Sequence, residues 1–148
     1  MSVLAEIRVA VADMLRDSSL DGQINILSHV VGDMPLPHVV IVPAEGKYID
    51  YHGTFGPTCN MTIRLVARVV YPIGGSAESG DIALDGFLSS GTTETLSVVD
   101  ALAGDGVLPD RRAFTLHAAD VDNHLYGQLG TESTVSAEIP LLVQIYRS

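Results

Sequence analysis

One segment limits the possible folds of this chain more than any other: CNMTIRLVARVVYP, residues 59–72. Its side chains alternate strictly between two rows, and a period of two is the side-chain period of a β-strand. One row is apolar throughout, while the other carries Arg64 and Arg68, two of the eight basic residues of the chain. The segment therefore predicts a strand with one face on the core and two cations on the other face.

A second alternating segment, TVSAEIPLLVQIYRS at residues 134–148, has its apolar residues on one parity and also predicts a strand. Because proline cannot donate to a sheet, Pro140 predicts that this strand lies at an edge or carries a bulge. The continuous β-branched segment at residues 38–44 predicts a strand buried on both faces. Residues 113–121 predict a weaker strand, and residues 24–37 fit either a short strand or a loop.

Two parts of the chain have helical periodicity. Apolar residues recur at helical spacing in residues 3–15, and two shorter apolar stripes lie in residues 81–103, after the connector GGSAESG at residues 74–80. Helices that are separate from hairpin-like strands predict an α+β fold. We expect an N-terminal helix and a central helical zone packed on a mixed, mostly antiparallel sheet of about four to five strands.

Length and charge narrow the class of protein. At 148 residues, a single domain spanning residues 1–148 is expected. The one cysteine, Cys59, rules out an internal disulfide framework and fits a reducing compartment. No apolar run approaches the ~18 residues of a membrane span, so we expect a soluble protein that contacts no membrane. A formal net charge of −10 argues against binding nucleic acid through its phosphates.

The two arginines of the first segment have two candidate kinds of partner. They lie about 13 Å apart along a strand, at ~3.3 Å per residue, which is too far for one shared anion site. An acid on a neighbouring strand would pair with them, and Glu138 has the matching parity. Alternatively, Arg64 and Arg68 meet acids of another subunit, which an edge-type final strand and a net-acidic chain favour. Arg111 and Arg112 likewise predict a salt-bridging or partner-contacting surface.

A long turn-rich segment at residues 44–60 carries more aromatic residues than a loop usually does. Tyr48, Tyr51 and Phe55 lie in it, between glycines and a proline that break any long element. Aromatic side chains in a loop of this length either pack on the core of their own domain or belong to a binding surface. Both interpretations stay open from the sequence, and the second makes these three residues candidate partner contacts.

The residues that could carry chemistry form no recognisable motif. The segment HAADVDNH, from His117 to His124, offers metal-ligand side chains to which Asp50 and His52 could add, but its two histidines share neither a strand face nor a helical face. Residues 74–81 lack the lysine of a phosphate-binding loop. We therefore predict no catalytic, cofactor-binding or metal-binding residues and no enzyme activity. A small metal-dependent enzyme or ligand-binding domain is the alternative.

The order of these segments forms a pattern of its own. An N-terminal helix precedes PLPHVVIVPAE, a long loop and NMTIRLVARVVYP, and then come a helical zone ending VVDALAGDGVLP and the terminal AEIPLLVQIYRS. This succession, which covers nearly the whole chain, resembles the tail terminator (tail completion) proteins of long-tailed bacteriophages. The resemblance lies in the order of elements and not in a short diagnostic motif.

The resemblance implies an α+β subunit that forms a ring, typically a hexamer. Such a ring caps the finished tail tube, ends its polymerisation and joins the tail to the head connector, and DNA passes through its hole without specific binding. The implied partners are further copies of the chain, the tail tube protein and the head–tail connector protein. The implied location is the virion tail or neck, after assembly in the host cytoplasm. Another connector or neck protein is the related alternative, and the family brings no catalytic residues and no cofactor.

Overall fold

The computed structural model describes the chain in segments: residues 3–17, 24–32, 34–46, 48–51, 61–73, 77–88, 102, 104–108, 113–118, 122–129 and 132–145. Two helices lie within these segments, α1 (Val3–Arg16) and α2 (Ala77–Leu88). The strands in chain order are β1 (Asn25–Leu27), β2 (His38–Pro43), β3 (Ile49–Tyr51), β4 (Met61–Pro72), β5 (Gly104–Val107), β6 (Ala113–Ala118), β7 (Asp122–Leu129) and β8 (Glu132–Ile145).

The strands form one sheet built around the two long alternating segments. Its order is β1-β2-β4-β8-β6-β5, with β3 also pairing with β4 and β7 also pairing with β8. β4 and β8 are antiparallel neighbours along the whole length of β4. The pairing of β1 with β2 is parallel, and the other described pairs are antiparallel. The two strands with the clearest sequence pattern are therefore the centre of the sheet.

The predicted α+β class is wrong, because the described part of the chain is mostly β, with eight strands and two helices. Only part of the expected helical zone at residues 81–103 is seen as a helix: α2 starts at Ala77, inside the expected connector, and ends at Leu88. The second apolar stripe of that zone falls largely outside the described residues. The sheet also has more strands than expected, because β1, β3 and β5 are three or four residues long and too short to show periodicity.

The apolar rows of β4 and β8 form the core, as their alternation predicts. Ile63, Leu65, Ala67 and Val69 are fully buried, and so is the matching row of β8 from Val135 onwards. Both helices contribute to the same apolar cluster, α1 through its predicted stripe and α2 through the first stripe of the expected zone. Each large aliphatic side chain buried in this way contributes about 1.5–3 kcal/mol, so this single layer dominates the stability of the described fold.

Strand β2 is buried on both faces, as its continuous β-branched sequence predicts. Its first five residues, His38 to Val42, are all buried, although they point alternately to the two sides of the sheet. β2 lies between β1 and β4, so both of its edges are paired. The strand therefore brings one polar side chain, that of His38, into a buried position on the face of the sheet opposite the core.

Of the two alternatives that Pro140 predicts for β8, the edge position is wrong, because β8 pairs with β4 on one side and with β6 and β7 on the other. The bulge alternative has a counterpart in the β7–β8 pairing, whose register shifts between Asp122 and Leu125.

The backbone hydrogen bonds of β4 explain why Pro140 is tolerated. The N–H of Arg64 donates to the Tyr48 carbonyl oxygen and its carbonyl accepts from Ala44, so its backbone faces β2 and β3. Backbone groups alternate in direction along a strand, so the N–H and C=O of Leu65 point towards β8 and its partner Leu141. The adjacent residue of β8, Pro140, therefore has its backbone groups pointing away from β4. On that side β6 ends opposite Leu141 and β7 begins opposite Glu138, so neither pairs with Pro140.

Candidate functional site

The face of the sheet opposite the core carries the polar side chains of β4 and β8. Arg64 and Arg68 lie on this face, and so do Glu138 and Leu142 of β8. All four are even-numbered, whereas the core rows of both strands are odd-numbered. This second face contains two cavities, one at each end of the arginine pair. It is the part of the described molecule where charge, cavities and sequence-predicted residues meet.

Arg68 is paired within the chain. It lies directly opposite Glu138 in the β4–β8 register, and its Nε and Nη2 both donate to Oε2 of Glu138, at 3.3 and 3.2 Å. The interpretation of Glu138 as a cross-strand partner is thus confirmed for Arg68. Arg68 is 45% exposed and Glu138 20%, so solvent screens the pair and its contribution to stability is about 0.2–1 kcal/mol.

Arg64 is in a different position, because Leu142 lies opposite it in β8 and offers no charge. Its side chain is half-buried, and its Nη1 is buried without a hydrogen-bond partner anywhere in the described part of the chain. A buried donor without a partner costs about 1–3 kcal/mol. The predicted contact between Arg64 and an acid of another subunit stays a prediction.

The Arg64 cavity is the space beside this guanidinium, and its volume is about 320 Å³. Arg64 and His117, which is exposed, lie on either side of Leu142, since both residues pair with Leu142 from opposite edges of β8. The lining of the cavity also includes Ala44, Pro140 and Leu142, together with Leu65, Ala118 and Leu141, whose side chains belong to the core side of the sheet. The arrangement is that of an apolar cleft with a cation on one wall.

A second cavity, of about 240 Å³, lies beyond Arg68 and is lined by His38 together with residues of β4, β7 and β8. His38 is 1% exposed, and its Nδ1 lies 3.2 Å from the Pro35 carbonyl oxygen, to which a protonated Nδ1 donates. Burial lowers the pKa of His38; the hydrogen bond with Pro35 raises it, and the charge of Arg68 lowers it further. The imidazole is thus held in its neutral form to lower pH than usual.

The aromatic and basic candidates of the sequence are only partly described. Tyr48 is half-buried and packs against the core, which favours the first of its two interpretations. Tyr51 is the last residue of β3, but its side chain lies outside the described set, as do Phe55, Arg111 and Arg112 altogether. Their predicted partner contacts stay predictions.

The residues of the alternative metal site are dispersed over three strands. Asp50 is in β3, His117 in β6 and His124 in β7, while His52 lies outside the described residues. Among the residues that can be placed, no group of three or more His, Cys, Asp or Glu side chains is arranged to hold a metal ion. The described chain therefore offers no assembled metal centre on which to build a mechanism.

Sequence reasoning missed strand β7, since it predicted no strand in residues 122–129. Its exposed Leu125 and Tyr126 are adjacent in sequence and so point to opposite sides of the sheet, which hides any apolar alternation. The signal that was available is the pair itself, since two neighbouring large apolar residues are unusual in a solvated loop. His38 lies in the segment that was predicted to be buried on both faces, but it was not among the candidate site residues.

No protein-family model matches the chain, and a search of curated proteins gave no match. Neither described helix is long and apolar enough to cross a membrane. The candidate site is defined by its own geometry: a sheet face with one internally paired arginine and one arginine that lines a cavity.

Proposed function

We propose that the protein is a structural subunit of a phage tail or neck ring, which caps the tail tube, ends its polymerisation and joins the tail to the head connector. The order of sequence segments is one support. In this proposal the subunit assembles in the host cytoplasm, resides in the virion, and contacts further copies of itself, the tube protein and the connector protein. Another connector or neck protein of the same assembly is the nearest alternative.

The outer edge of β7, with which no described strand pairs, is the observation that carries the proposal. β7 pairs with β8 on one side, and no described strand pairs with it on the other. Leu125 is 60% exposed and Tyr126 58%, one on each side of the sheet at this edge. A strand edge beside exposed apolar side chains can pair with a strand of another chain, and a ring subunit needs a surface for its neighbours.

The charge of the chain supports the second part of the proposal, that DNA passes through the ring. A subunit with a formal net charge of −10 repels the phosphate backbone instead of holding it. A channel through which DNA slides must not bind it tightly, and an acidic subunit meets that condition. We expect no retention of duplex DNA in a mobility-shift assay at physiological salt.

Mass measurement in solution tests the proposal. Size-exclusion chromatography with light scattering, at several concentrations and with tail tube protein added, should give a defined oligomer, with a hexamer expected from the resemblance. A chain that stays monomeric throughout, with and without the tube protein, contradicts the proposal.

A charge placed on the β7 edge tests the surface itself. Tyr126→Lys should shift the protein towards the monomer, because a lysine at a strand edge opposes pairing with a second chain. The matched control is Ile82→Lys, which makes the same charge change at an apolar residue of α2 that is 65% exposed and distant in sequence from the edge. Equal effects of the two substitutions would remove β7 from the interface.

A further inference from the structure

The Arg64 cavity has the composition of a ligand site and not of a packing defect. Its volume of about 320 Å³ falls at the lower end of the ~300–1,000 Å³ of small-molecule sites. Its lining combines an aliphatic majority with a very small number of polar groups, which is how such sites bind an apolar body and fix its orientation. Arg64 is one of the residues that line it.

The charge of Arg64 defines the chemistry that fits. Nη1 of this side chain is buried and has no hydrogen-bond partner among the described residues, whereas Arg68 on the same strand face is satisfied by Glu138. Buried cations are stable when an anion accepts their hydrogen bonds, and a guanidinium matches the two oxygens of a carboxylate. Arg64 therefore lacks the acid that Arg68 has, and a carboxylate in the cavity would supply that charge to the guanidinium as a whole, since Nη1 itself has no exposed surface.

The geometry sets the shape of the ligand. Leu142 lies between Arg64 and His117, and the strands that carry these two residues are each one strand spacing from β8. Their backbones are thus about 10 Å apart, at ~4.8 Å per strand. Between them the floor is formed by Leu142 with Pro140, so a ligand with its charge on Arg64 has an apolar surface along the rest of its length.

We infer that the Arg64 cavity binds a small carboxylic acid with an unbranched apolar body, its carboxylate on the Arg64 guanidinium and its body against Leu142 and Pro140. This assigns a ligand-binding site to the second face of the sheet. It does not rest on the ring function, since the cavity lies within one copy of the chain.

Isothermal titration calorimetry with sodium octanoate as the probe tests the inference. Wild-type protein should bind octanoate at one site and should bind octan-1-ol, which has the same body without the charge, about tenfold more weakly. The Arg64→Met variant should bind octanoate about tenfold more weakly than wild-type protein does, which corresponds to about 1.4 kcal/mol of binding free energy. It should bind the acid and the alcohol with equal affinity. The methionine keeps a long apolar stem, so loss of charge is separated from loss of packing.

Arg68→Met is the matched control, because it removes the same charge from the same strand face but from outside the Arg64 cavity. It should leave octanoate affinity unchanged. If Arg64→Met does not fold, the comparison of octanoate with octan-1-ol on wild-type protein decides the question alone.

Three results would overturn the inference: no saturable octanoate binding, equal affinity of wild-type protein for the acid and the alcohol, or equal weakening by Arg64→Met and Arg68→Met. Absence of octanoate binding together with a lower oligomer mass for Arg64→Met would assign the cavity to an acidic side chain of a second copy. Failure of the ring proposal, in contrast, leaves octanoate binding untouched, so the two outcomes are distinguishable.

Discussion

At the scale of single residues, Arg64 and Arg68 show how strand register decides the role of a charge. Strand alternation places both on the second face and restricts their partners in β8 to its even-numbered residues. Two of these are acids, Glu132 and Glu138, and of the two Glu138 lies within the part of β8 that pairs with β4, which ends at Thr134. Which arginine meets it depends on register, and the register pairs Glu138 with Arg68 and Leu142 with Arg64. The pair was therefore predictable as a two-way choice, and the Arg64 cavity, lined from several strands, was not.

A double-mutant cycle on Arg68→Met and Glu138→Gln should give a coupling energy of about 0.2–1 kcal/mol in urea unfolding, since the pair is partly exposed. High salt should reduce it. The cycle with Arg64→Met in place of Arg68→Met is the control, and its coupling should be near zero. A larger coupling for Arg64 than for Arg68 would contradict the register described above.

His38 should make the protein less stable in mild acid. Its pKa is lowered in the folded state, so as pH falls through about 6.5 the unfolded chain binds protons that the folded chain does not. The free energy of unfolding should therefore fall with decreasing pH, until the folded imidazole is protonated as well. His29, whose pKa burial and Arg8 lower, acts in the same direction.

The measurement is urea unfolding at several pH values between about 5 and 8 for wild-type protein and His38→Gln. The variant should have lower stability overall but a shallower dependence on pH, because the neutral amide does not titrate. An identical pH dependence for both proteins would show that the buried imidazole does not contribute.

At the scale of elements, length decides what could be predicted. α1, β2, β4 and β8 were predicted because each has enough residues for its apolar pattern to be read. Strand β1 is one of the two alternatives that the sequence leaves open for residues 24–37. The short strands β3 and β5 exist because they pair with β4 and β6, and that is a tertiary cause with no local signal. The edge position predicted for β8 was wrong for the opposite reason. Its proline is a local signal, but the arrangement in which neither β6 nor β7 pairs with Pro140 is tertiary.

The gap at Pro140 predicts a position-dependent effect of proline in β8. Ala137 faces β4 with its backbone groups and pairs with Val69, so Ala137→Pro should remove a central hydrogen bond and cost about 3 kcal/mol or more. Pro140→Ala should change stability by less than about 1 kcal/mol, because no described strand pairs with that position on the opposite side. Thermal unfolding of both variants checks this, and similar losses would refute the assigned hydrogen-bond alternation.

The pairing of β5 with β6 depends on a glycine. Gly106 lies opposite Phe114, and a Cβ on Gly106 would come within 2.3 Å of the buried Phe114 ring. Gly106→Ala should therefore destabilise the protein by about 1–3 kcal/mol, because the ring must leave its position in the core. Gly127→Ala in β7 is the control, since its nearest neighbour atom is the hydroxyl oxygen of Thr134 at 4.0 Å. Equal effects on the midpoint of urea unfolding would count against this packing.

At the scale of the whole molecule, apolar contact and net charge have opposite effects on association in the proposed ring. The apolar edge of β7 favours association, whereas copies that each carry a formal net charge of −10 repel one another at a distance. The Debye length falls from about 30 Å at 0.01 M salt to about 3 Å at 1 M, so salt should remove the repulsion and leave the short-range contact. Light scattering should show a larger oligomeric fraction at high salt, and a fall in that fraction would mean that ion pairs hold the interface.

The central position of β8 also has a consequence for how the protein is made. β4, β6 and β7 all pair with β8, yet β8 is the last described strand that the ribosome delivers. Until β8 emerges, helices can cover the apolar row of β4, but one edge of β4 has no strand to pair with. Arg68 also lacks its partner Glu138, which comes 70 residues later in the chain. The nascent chain must wait for its final strand before the sheet closes, so slow translation of the last segment prolongs the interval in which β4 is open to aggregation.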